Sequence, residues 1–298
     1  MSVNRKKHIL MALISLAIVG CNKDEEIINP DNSEITGLNY KVVEYTPAPG
    51  QFMNDPASGS NSIYSAEEAC EYAEKRLAEG RFLSLGAWGG YVIVKFNNPV
   101  INSGGYDFSI GSNAFDTSNE PGIVWVMQDS NGNGKPDDTW FELKGSHFGE
   151  IGYERNVWVT YSRPQPKQDT PWINSNGETG VVKWLESYHS QDYYYPDWYS
   201  ADEITFYGSL LPAQEVQNPV SGIWQNDPFT WGYADNMGED FNTSLHRNMF
   251  KISDAVTSEN VAADLQSIDF IKVQTAILNS SNLLGENSTE VTGFFVEN

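Results

Sequence analysis

Short apolar runs separated by turn residues recur along most of this chain. β-Branched and aromatic residues dominate the runs, and Gly, Pro, Asn or Asp interrupts them. This pattern is typical of half-buried strands in an antiparallel sheet. We therefore predict a mostly β fold, an antiparallel β-sandwich of jelly-roll type. The clearest predicted strands are 91–96, 122–127, 157–161, 203–207, 268–275 and 291–296.

One segment, residues 65–80, has helical periodicity instead. Ser65 and Glu68 have the spacing of a capping box, which satisfies backbone N–H groups at a helix N-terminus. Apolar residues follow at intervals of three and four, and Gly80 is placed to end the helix. The pattern predicts one short α-helix, with Cys70 on its apolar face as a buried structural thiol.

The first twenty residues predict a signal peptide that ends at a lipidation site. Basic residues at 5–7 precede an apolar run at 9–19, which is too short to span a bilayer. Gly20 and Cys21 follow the run directly, as in lipoprotein signals. We predict cleavage before Cys21, acylation of its thiol and attachment to a membrane through the lipid. An ordinary secretory signal with a chance cysteine is the alternative.

The segment after Cys21 is acidic and has the composition of a linker. Asp24, Glu25 and Glu26 resemble the export tag of Bacteroidota-type surface lipoproteins. That resemblance implies an outer-membrane protein displayed on the cell surface, and a solvated linker is the alternative. The predicted organisation is a signal peptide at 1–20, a lipidated tether at 21–38 and a single β-sandwich domain at 39–298.

The charge of the chain argues against one class of partner. The chain has 18 Lys+Arg and 40 Asp+Glu, and the predicted signal peptide contains three of the basic residues and no acidic one. The mature chain therefore has 15 basic against 40 acidic residues, a net charge of −25. Such a surface repels nucleic acid. The 9 Trp, 15 Tyr and 14 Phe indicate a folded domain with a sizeable core.

Residues 129–138 contain the clearest metal-binding motif. Oxygen-bearing side chains fall at positions 1, 3, 5 and 9, with Gly134 at position 6, as in the first part of an EF-hand loop. Position 12 is Trp140 instead of a bidentate Glu. The predicted ligands of a structural Ca²⁺ are Asp129, Asn131, Asn133, Lys135 through its carbonyl, Asp137, and Asp138 or Glu142. A metal-free hairpin is the alternative, because Asn and Gly suit turns.

A second set of candidate residues is aromatic. Residues 193–199 read YYYPDWY, and further rings follow downstream. Exposed rings form platforms for sugars or large planar ligands, and core filling is the alternative. In a strand only alternate residues face inward, so one of the two alternating sets should be substantially exposed. Pro196 argues against a central strand and points to an edge strand or a loop. The predicted ligand-binding residues are Tyr193, Tyr195, Asp197, Trp198, Trp224 and Trp231.

Several phrases resemble a family of Bacteroidota cell-surface lipoproteins of unassigned activity. They lie at 84–91 (SLGAWGGY), 105–108 with 113–115, 120–126 (EPGIVWV), 140–145, 268–274 and 285–291, so the resemblance spans about 40–295. It implies a jelly-roll sandwich and a place beside outer-membrane nutrient-uptake systems, notably those for corrinoids.

The same phrases have a physical interpretation of their own. Gly86, Gly89 and Gly90 would permit a close strand crossing or a bulge. Asp107, Asn113 and Glu120 are polar residues within apolar runs. They are expected to join loops by hydrogen bonds or, alternatively, to bind a metal.

Signatures of catalysis are absent from the sequence. It contains neither His-Glu-x-x-His nor Gly-x-Ser-x-Gly. We therefore expect a non-catalytic surface lipoprotein that captures a small molecule or glycan, such as a corrinoid, or supports an outer-membrane transporter complex. A glycan hydrolase that uses two carboxylates is the first alternative, and an adhesive module is the second.

Overall fold

The computed structural model describes residues 37–187, 189–220, 222, 224–281 and 285–297. The chain divides into two compact units, Met1–Asp31 and Asn32–Asn298, and every described residue belongs to the second. The predicted signal peptide, Cys21 and the acidic tag lie outside the described residues.

The described residues are mostly strands, with one α-helix, and all pairings between named strands are antiparallel. The predicted fold class is therefore confirmed. The helix α1 spans Ala66–Ala78, and 3₁₀ turns lie at Ser60–Ser62 and Ile252–Asp254. The strands are β1 (Tyr40–Thr46), β2 (Leu83–Ser84), β3 (Tyr91–Ile101), β4 (Phe108–Ser112), β5 (Gly122–Met127), β6 (Trp140–Leu143), β7 (Glu154–Ser162), β8 (Thr170–Asn174), β9 (Thr179–Val182), β10 (Glu203–Leu210), β11 (Glu215–Gln217), β12 (Trp224–Asn226), β13 (Phe241–Asn242), β14 (Arg247–Phe250), β15 (Ala255–Val256), β16 (Ser267–Thr275), β17 (Ser280–Ser281), β18 (Gly285–Glu286) and β19 (Glu290–Val296).

Two large sheets share the main hydrophobic core. One has the order β1-β3-β16-β5-β6-β15 and the other β13-β14-β4-β19-β2. Inward side chains of both, such as Val94 of β3 and Ile110 of β4, belong to one buried cluster, against which α1 packs Ala69, Ala73 and Leu77. Alternating inward residues from two sheets form a sandwich core. The jelly-roll order of the strands stays a prediction.

The helix begins and ends at the residues that its sequence predicts. The Ser65 hydroxyl accepts a hydrogen bond from Glu68 N at 3.1 Å. Gly80 adopts a left-handed φ of +65°, and the next amide, Arg81 N, donates to Arg76 O at 2.9 Å. This is the Schellman ending that favours glycine. Cys70 packs half-buried against the main core, and burial raises its pKa.

The strand β3 runs beyond its predicted end. Pro99 lies inside it and is exposed, next to an irregularity in the pairing of β16 between Ile268 and Phe270. Proline is tolerated there because neither neighbouring strand pairs with Pro99, so its missing N–H costs no ladder hydrogen bond. The strand β5 has its predicted bounds, and β7 and β10 are longer than predicted.

A third sheet, β10-β7-β8-β9, packs on a second core around Trp88. The indole of Trp88 donates to Ser209 O at 3.2 Å, and Tyr161 Oη donates to Trp88 O at 2.9 Å. Gly86 and Gly90 lie against neighbouring backbone, because a Cβ would come within 2.0 Å of Ala48 O at Gly86 and within 1.9 Å of Leu85 O at Gly90. Gly89 lies against the Phe206 side chain. The predicted close approach is therefore confirmed at Gly86 and Gly90, but it joins loop segments and is not a crossing of strands.

Candidate functional site

The loop at 129–138 joins β5 to β6 and folds around Asp129. The Asp129 carboxylate accepts hydrogen bonds from Asn133 N at 3.1 Å and Gly134 N at 2.8 Å. The side-chain amides of Asn131 and Asn133 donate to Asp137, and these bonds lower the Asp137 pKa. The side chains of Asp129, Asn131, Asn133 and Asp137 therefore converge, as the motif requires.

Two neighbours affect how this loop would bind a cation. Asp138 Oδ2 accepts from Ser130 N at 3.0 Å, and Lys95 Nζ lies 3.9 Å from Asp129 Oδ2. Within the described parts of the chain, no three or more His, Cys, Asp or Glu side chains are grouped to hold a metal. Asn side chains and the Lys135 carbonyl fall outside that count, so the calcium site stays a prediction.

Glu142 does not complete the loop. Its buried carboxylate on β6 accepts hydrogen bonds from Tyr153 Oη at 2.6 Å and Ser209 Oγ at 2.7 Å. Arg155 Nε lies 3.6 Å away, and burial nonetheless raises the Glu142 pKa. Both carboxylate oxygens are committed to these partners, so the prediction of Glu142 as a calcium ligand is wrong.

The aromatic segment 193–199 is a loop, not a strand, and it turns inward. Tyr194 and Tyr195 are wholly buried in the second core. Tyr195 Oη donates to Ala201 O at 2.9 Å, and the Arg163 guanidinium lies 4.4 Å from its ring centroid. The expected alternation of exposed rings is therefore wrong, and Tyr195 is a core residue.

The other predicted residues of this segment offer little open ring surface. Tyr193 is half-buried, and Trp198 packs half-buried against the main core. Asp197 is exposed and lies 3.7 Å from Arg163 Nη1. Trp224 and Trp231 are exposed, and of the two only Trp231 lines the cleft described next.

Trp231 forms one wall of a cleft of about 330 Å³, called here the Trp231 cleft. A second ring, Tyr106, also lines it, and the two side chains are 37% and 44% exposed. Lysines and carboxylates from several loops complete the cleft. Its charged lining residues are Lys144, Glu239, Asp240, Lys251 and Asp254.

Asp240 is the buried polar group of this cleft. Its Oδ2 accepts from Gly232 N at 2.7 Å, whereas its Oδ1 is buried without a hydrogen-bond partner. Burial raises the pKa of Asp240 to about 6, although the Gly232 amide opposes the change. Burial also raises the pKa of Asp254, while Lys251 and Lys144 act to lower it. The cleft thus combines exposed rings with charges of both signs.

A second cavity, of about 220 Å³, is lined mainly by acids and amides and is called here the acidic cavity. Its carboxylates come from segments that are far apart in the sequence, and Phe52 and Phe115 are the rings among its lining residues. The carboxylates are Glu120, Glu215, Asp235, Glu286 and Glu290, and the amides are Gln51, Asn113, Asn226, Asn279 and Asn287.

Burial perturbs the acids of this cavity strongly. It raises the pKa of Asp235 and of Glu286 to about 7. The pKa of Glu290 rises to about 8, through burial first and then through repulsion by Asp235. Burial, followed by repulsion from Glu290 and Asp235, also raises the pKa of Glu120 well above its ordinary value. Clusters of perturbed acids are frequent at functional sites.

Sequence reasoning found only part of these two sites. Trp231, Asn113 and Glu120 stood out as an aromatic residue and as polar residues within apolar runs. Asp240 and Glu286 had no local signal, because only the tertiary fold buries them. Glu290 had no local signal either, because it lies in the polar stretch ENSTEVT at 286–292.

No protein-family model matches the chain, and a search of the curated proteins found no match. Among the described residues, no helix is long and apolar enough to cross a membrane.

Proposed function

We propose that this protein is a surface-displayed lipoprotein that binds a glycan without cleaving it, in the Trp231 cleft. One observation carries the proposal: two exposed rings line a cleft whose lining also includes the buried carboxylate of Asp240, one oxygen of which lacks a hydrogen-bond partner. The apolar face of a sugar ring packs on an aromatic ring, and sugar hydroxyls donate to carboxylates and accept from lysines. The cleft volume suits a small ligand of this kind.

The charge and the shape of the cleft favour a glycan over a corrinoid. A corrinoid is a broad planar ligand that would need an open aromatic face. The segment predicted to supply that face, 193–199, is largely core. Support for an outer-membrane uptake system remains part of the proposal through the resemblance of the sequence phrases.

Replacing Trp231 with Ala is expected to weaken glycan binding at least about tenfold, because a stacked ring loses its contact area. Calorimetric titration of the purified protein with a panel of soluble oligosaccharides, and with cyanocobalamin, measures this. Trp224→Ala is the matched control, since Trp224 is exposed but does not line the cleft. Equal affinities of the two variants would refute the Trp231 cleft as the binding site, and binding of cyanocobalamin alone would refute the ligand class.

Glycan hydrolysis is a second candidate because the acidic cavity gathers carboxyl groups with raised pKa values. A glycosidase needs one protonated and one ionised carboxyl on either side of the bond that is cleaved. Chromatography of glycans incubated with the protein separates the two functions. Our proposal expects intact glycans, and the release of reducing ends would favour the hydrolase.

The proposed anchor predicts that Cys21→Ala releases the protein from the membrane, since that thiol is the only one at the cleavage point. Fractionation of cells expressing wild type and variant measures the membrane-bound share. The Cys70→Ala variant is the control, because Cys70 packs against the core. Firm membrane attachment of the Cys21 variant would contradict the lipoprotein proposal.

The loop at 129–138 is proposed to bind Ca²⁺ as a structural ion. Its converging side-chain oxygens and the turns at Gly132 and Gly134, with φ of +69° and +73°, suit a hard cation. Asp129, Asn131, Asn133, Asp137 and the Lys135 carbonyl would hold the ion.

Calcium is therefore expected to raise the thermal midpoint, and a chelator to lower it. Binding to the folded state alone stabilises by about 2.7 kcal/mol at a hundredfold excess over Kd. Asp129→Ala should remove most of the response, and Asp116→Ala, in another exposed loop, should keep it. A midpoint that ignores both calcium and chelator would indicate a metal-free hairpin.

A further inference from the structure

The acidic cavity contains two buried hydrogen-bond acceptors without partners. Glu286 and Asn287 are only 2% and 7% exposed, and both line the cavity. Glu286 Oε1 accepts from Gln51 N at 2.7 Å, but Glu286 Oε2 and Asn287 Oδ1 have no hydrogen-bond partner. A buried acceptor that is left unpaired costs free energy, so each is poised to accept a donor from a ligand.

The other acids of the cavity are held in place by the protein. Asp235 accepts from Ser112 Oγ at 3.0 Å, Asn113 N at 2.9 Å and Glu290 N at 2.8 Å. Glu290 Oε2 accepts from Asn113 Nδ2 at 2.5 Å. These bonds fix the positions of Asp235 and Glu290, and they leave the unpaired acceptors of Glu286 and Asn287 to a ligand.

None of the described residues that line the cavity is basic, so the acids of the cavity have no counterion among them. The acids that face it are Glu120, Glu215, Asp235, Glu286 and Glu290. Arg76 lowers the Glu290 pKa only as the smallest of several influences. A ligand that brings a positive charge would therefore relieve the repulsion between these acids.

The size and the geometry of the cavity favour an organic cation over a metal ion. Its unpaired acceptors, Glu286 Oε2 and Asn287 Oδ1, can each accept a hydrogen bond from an N–H group. A cavity of about 220 Å³ is also far larger than one bare ion. It corresponds to about seven waters at about 30 Å³ each, which is room for a molecule of several carbon atoms.

We propose that the acidic cavity is a second binding site, which takes the primary ammonium group of a small polar molecule such as an amino sugar or a diamine. The ammonium N–H groups donate to Glu286 Oε2 and Asn287 Oδ1, and its charge is offset by Glu286 and Glu290. Phe52 and Phe115 line the same cavity and contact the hydrocarbon part of the ligand. This site is separate from the Trp231 cleft, with which it shares no lining residue.

Calorimetric titration of the full-length protein in detergent tests the proposal with matched probes. Putrescine and glucosamine are compared with 1,4-butanediol and glucose, which have similar shapes but no ammonium group. We expect saturable binding of the two amines and at least tenfold weaker binding of the neutral compounds. Equal binding of the neutral compounds, or no saturable binding of either amine, would overturn the proposal.

Two variants test whether the amine binds in the acidic cavity. Glu286→Gln keeps the shape and removes the charge, and it should weaken amine binding at least tenfold. Glu150→Gln makes the same change at an exposed position and should leave the affinity unchanged. Thermal unfolding in the presence of putrescine provides a second readout, with a rise in midpoint for wild type and Glu150→Gln but not for Glu286→Gln.

The remaining outcomes separate this site from the glycan site. The Trp231→Ala variant should bind amines with the affinity of the wild type, whatever the effect of this change on glycan binding. Loss of amine binding in Trp231→Ala with retention in Glu286→Gln would place the amine in the other cleft and refute the proposal.

Discussion

We expect the free energy of unfolding to fall by several kcal/mol as the pH rises from about 4.5 to about 8, because of the acidic cavity. Burial raises the pKa of Asp235 from 3.8 to about 7, of Glu286 from 4.5 to about 7 and of Glu290 from 4.5 to about 8. Each pKa unit of difference between the folded and the unfolded state corresponds to about 1.4 kcal/mol in the free energy of unfolding. Three buried carboxyl groups in one cavity therefore make a large contribution to the pH dependence of the free energy of unfolding.

The direction of this pH dependence follows from whether the folded or the unfolded state binds more protons. A carboxyl whose pKa is higher in the folded state binds its proton more tightly there than in the unfolded chain. Its stabilising contribution is complete below the unfolded pKa and is lost as the pH rises through the folded pKa. Asp240, with a pKa of about 6, acts in the same direction. Lys272, whose pKa burial lowers to about 8, acts in the opposite direction and only above that pH.

Urea unfolding at a series of pH values measures this dependence. The Glu286→Gln variant should give a flatter profile, since the amide cannot ionise, and Glu150→Gln should follow wild type. A wild-type profile that is flat or rises between about pH 5 and about pH 8 would show that these acids are not buried as described. The amine proposed for the cavity should also flatten the profile, because it stabilises the ionised carboxylates.

Gly90→Ala is expected to destabilise the protein by about 3 kcal/mol or more, because there is no room for a methyl group. The added Cβ would lie 1.9 Å from Leu85 O and 2.3 Å from Ala48 N. These two atoms form a backbone hydrogen bond of 3.0 Å between neighbouring segments. The substitution therefore has to break that bond or push the segments apart, and neither atom is the end of a flexible side chain.

Gly105→Ala is the matched control for this effect. The nearest atom to its added Cβ is Ser103 Oγ at 3.5 Å, an ordinary contact. We expect a change within about 0.5 kcal/mol at this position. Urea unfolding of both variants provides the comparison, and equal stabilities would mean that the close approach at Gly90 opens without cost.

The features that the sequence predicted well depend on local interactions. The Ser65 cap, the Gly80 ending and the strand β5 each arise from residues close together in the chain. The close approach at Gly90 was also predicted, because a Gly-rich phrase beside a strand indicates either a close approach of backbone or a bulge.

The aromatic segment 193–199 was misjudged because a distant residue determines its shape. Asn54 Nδ2 donates to Tyr193 O at 3.0 Å and to Tyr195 O at 2.8 Å, and Asp197 N donates to Asn54 Oδ1 at 3.0 Å. These bonds replace the ladder of a strand and turn Tyr195 into the core. No pattern within 193–199 itself reveals this partner.

The acidic cavity could not be predicted for a similar reason. Glu120 lies between β4 and β5, Asp235 lies between β12 and β13, and Glu286 belongs to β18. Each is an ordinary acid in its own segment, and their pKa values shift only when the fold buries them together. The sequence showed an excess of acids but not which of them meet.

The strand β19 is an inner strand of the five-stranded sheet, between β4 and β2, although it comes after all the other strands along the chain. Until residues 290–296 have been synthesised, β4 therefore has one edge unpaired, because its other partner is β14. An unpaired strand edge invites pairing with other chains and cleavage by proteases. A chain truncated before Glu290 would lack the strand that joins β4 to β2, and that edge of β4 would stay open.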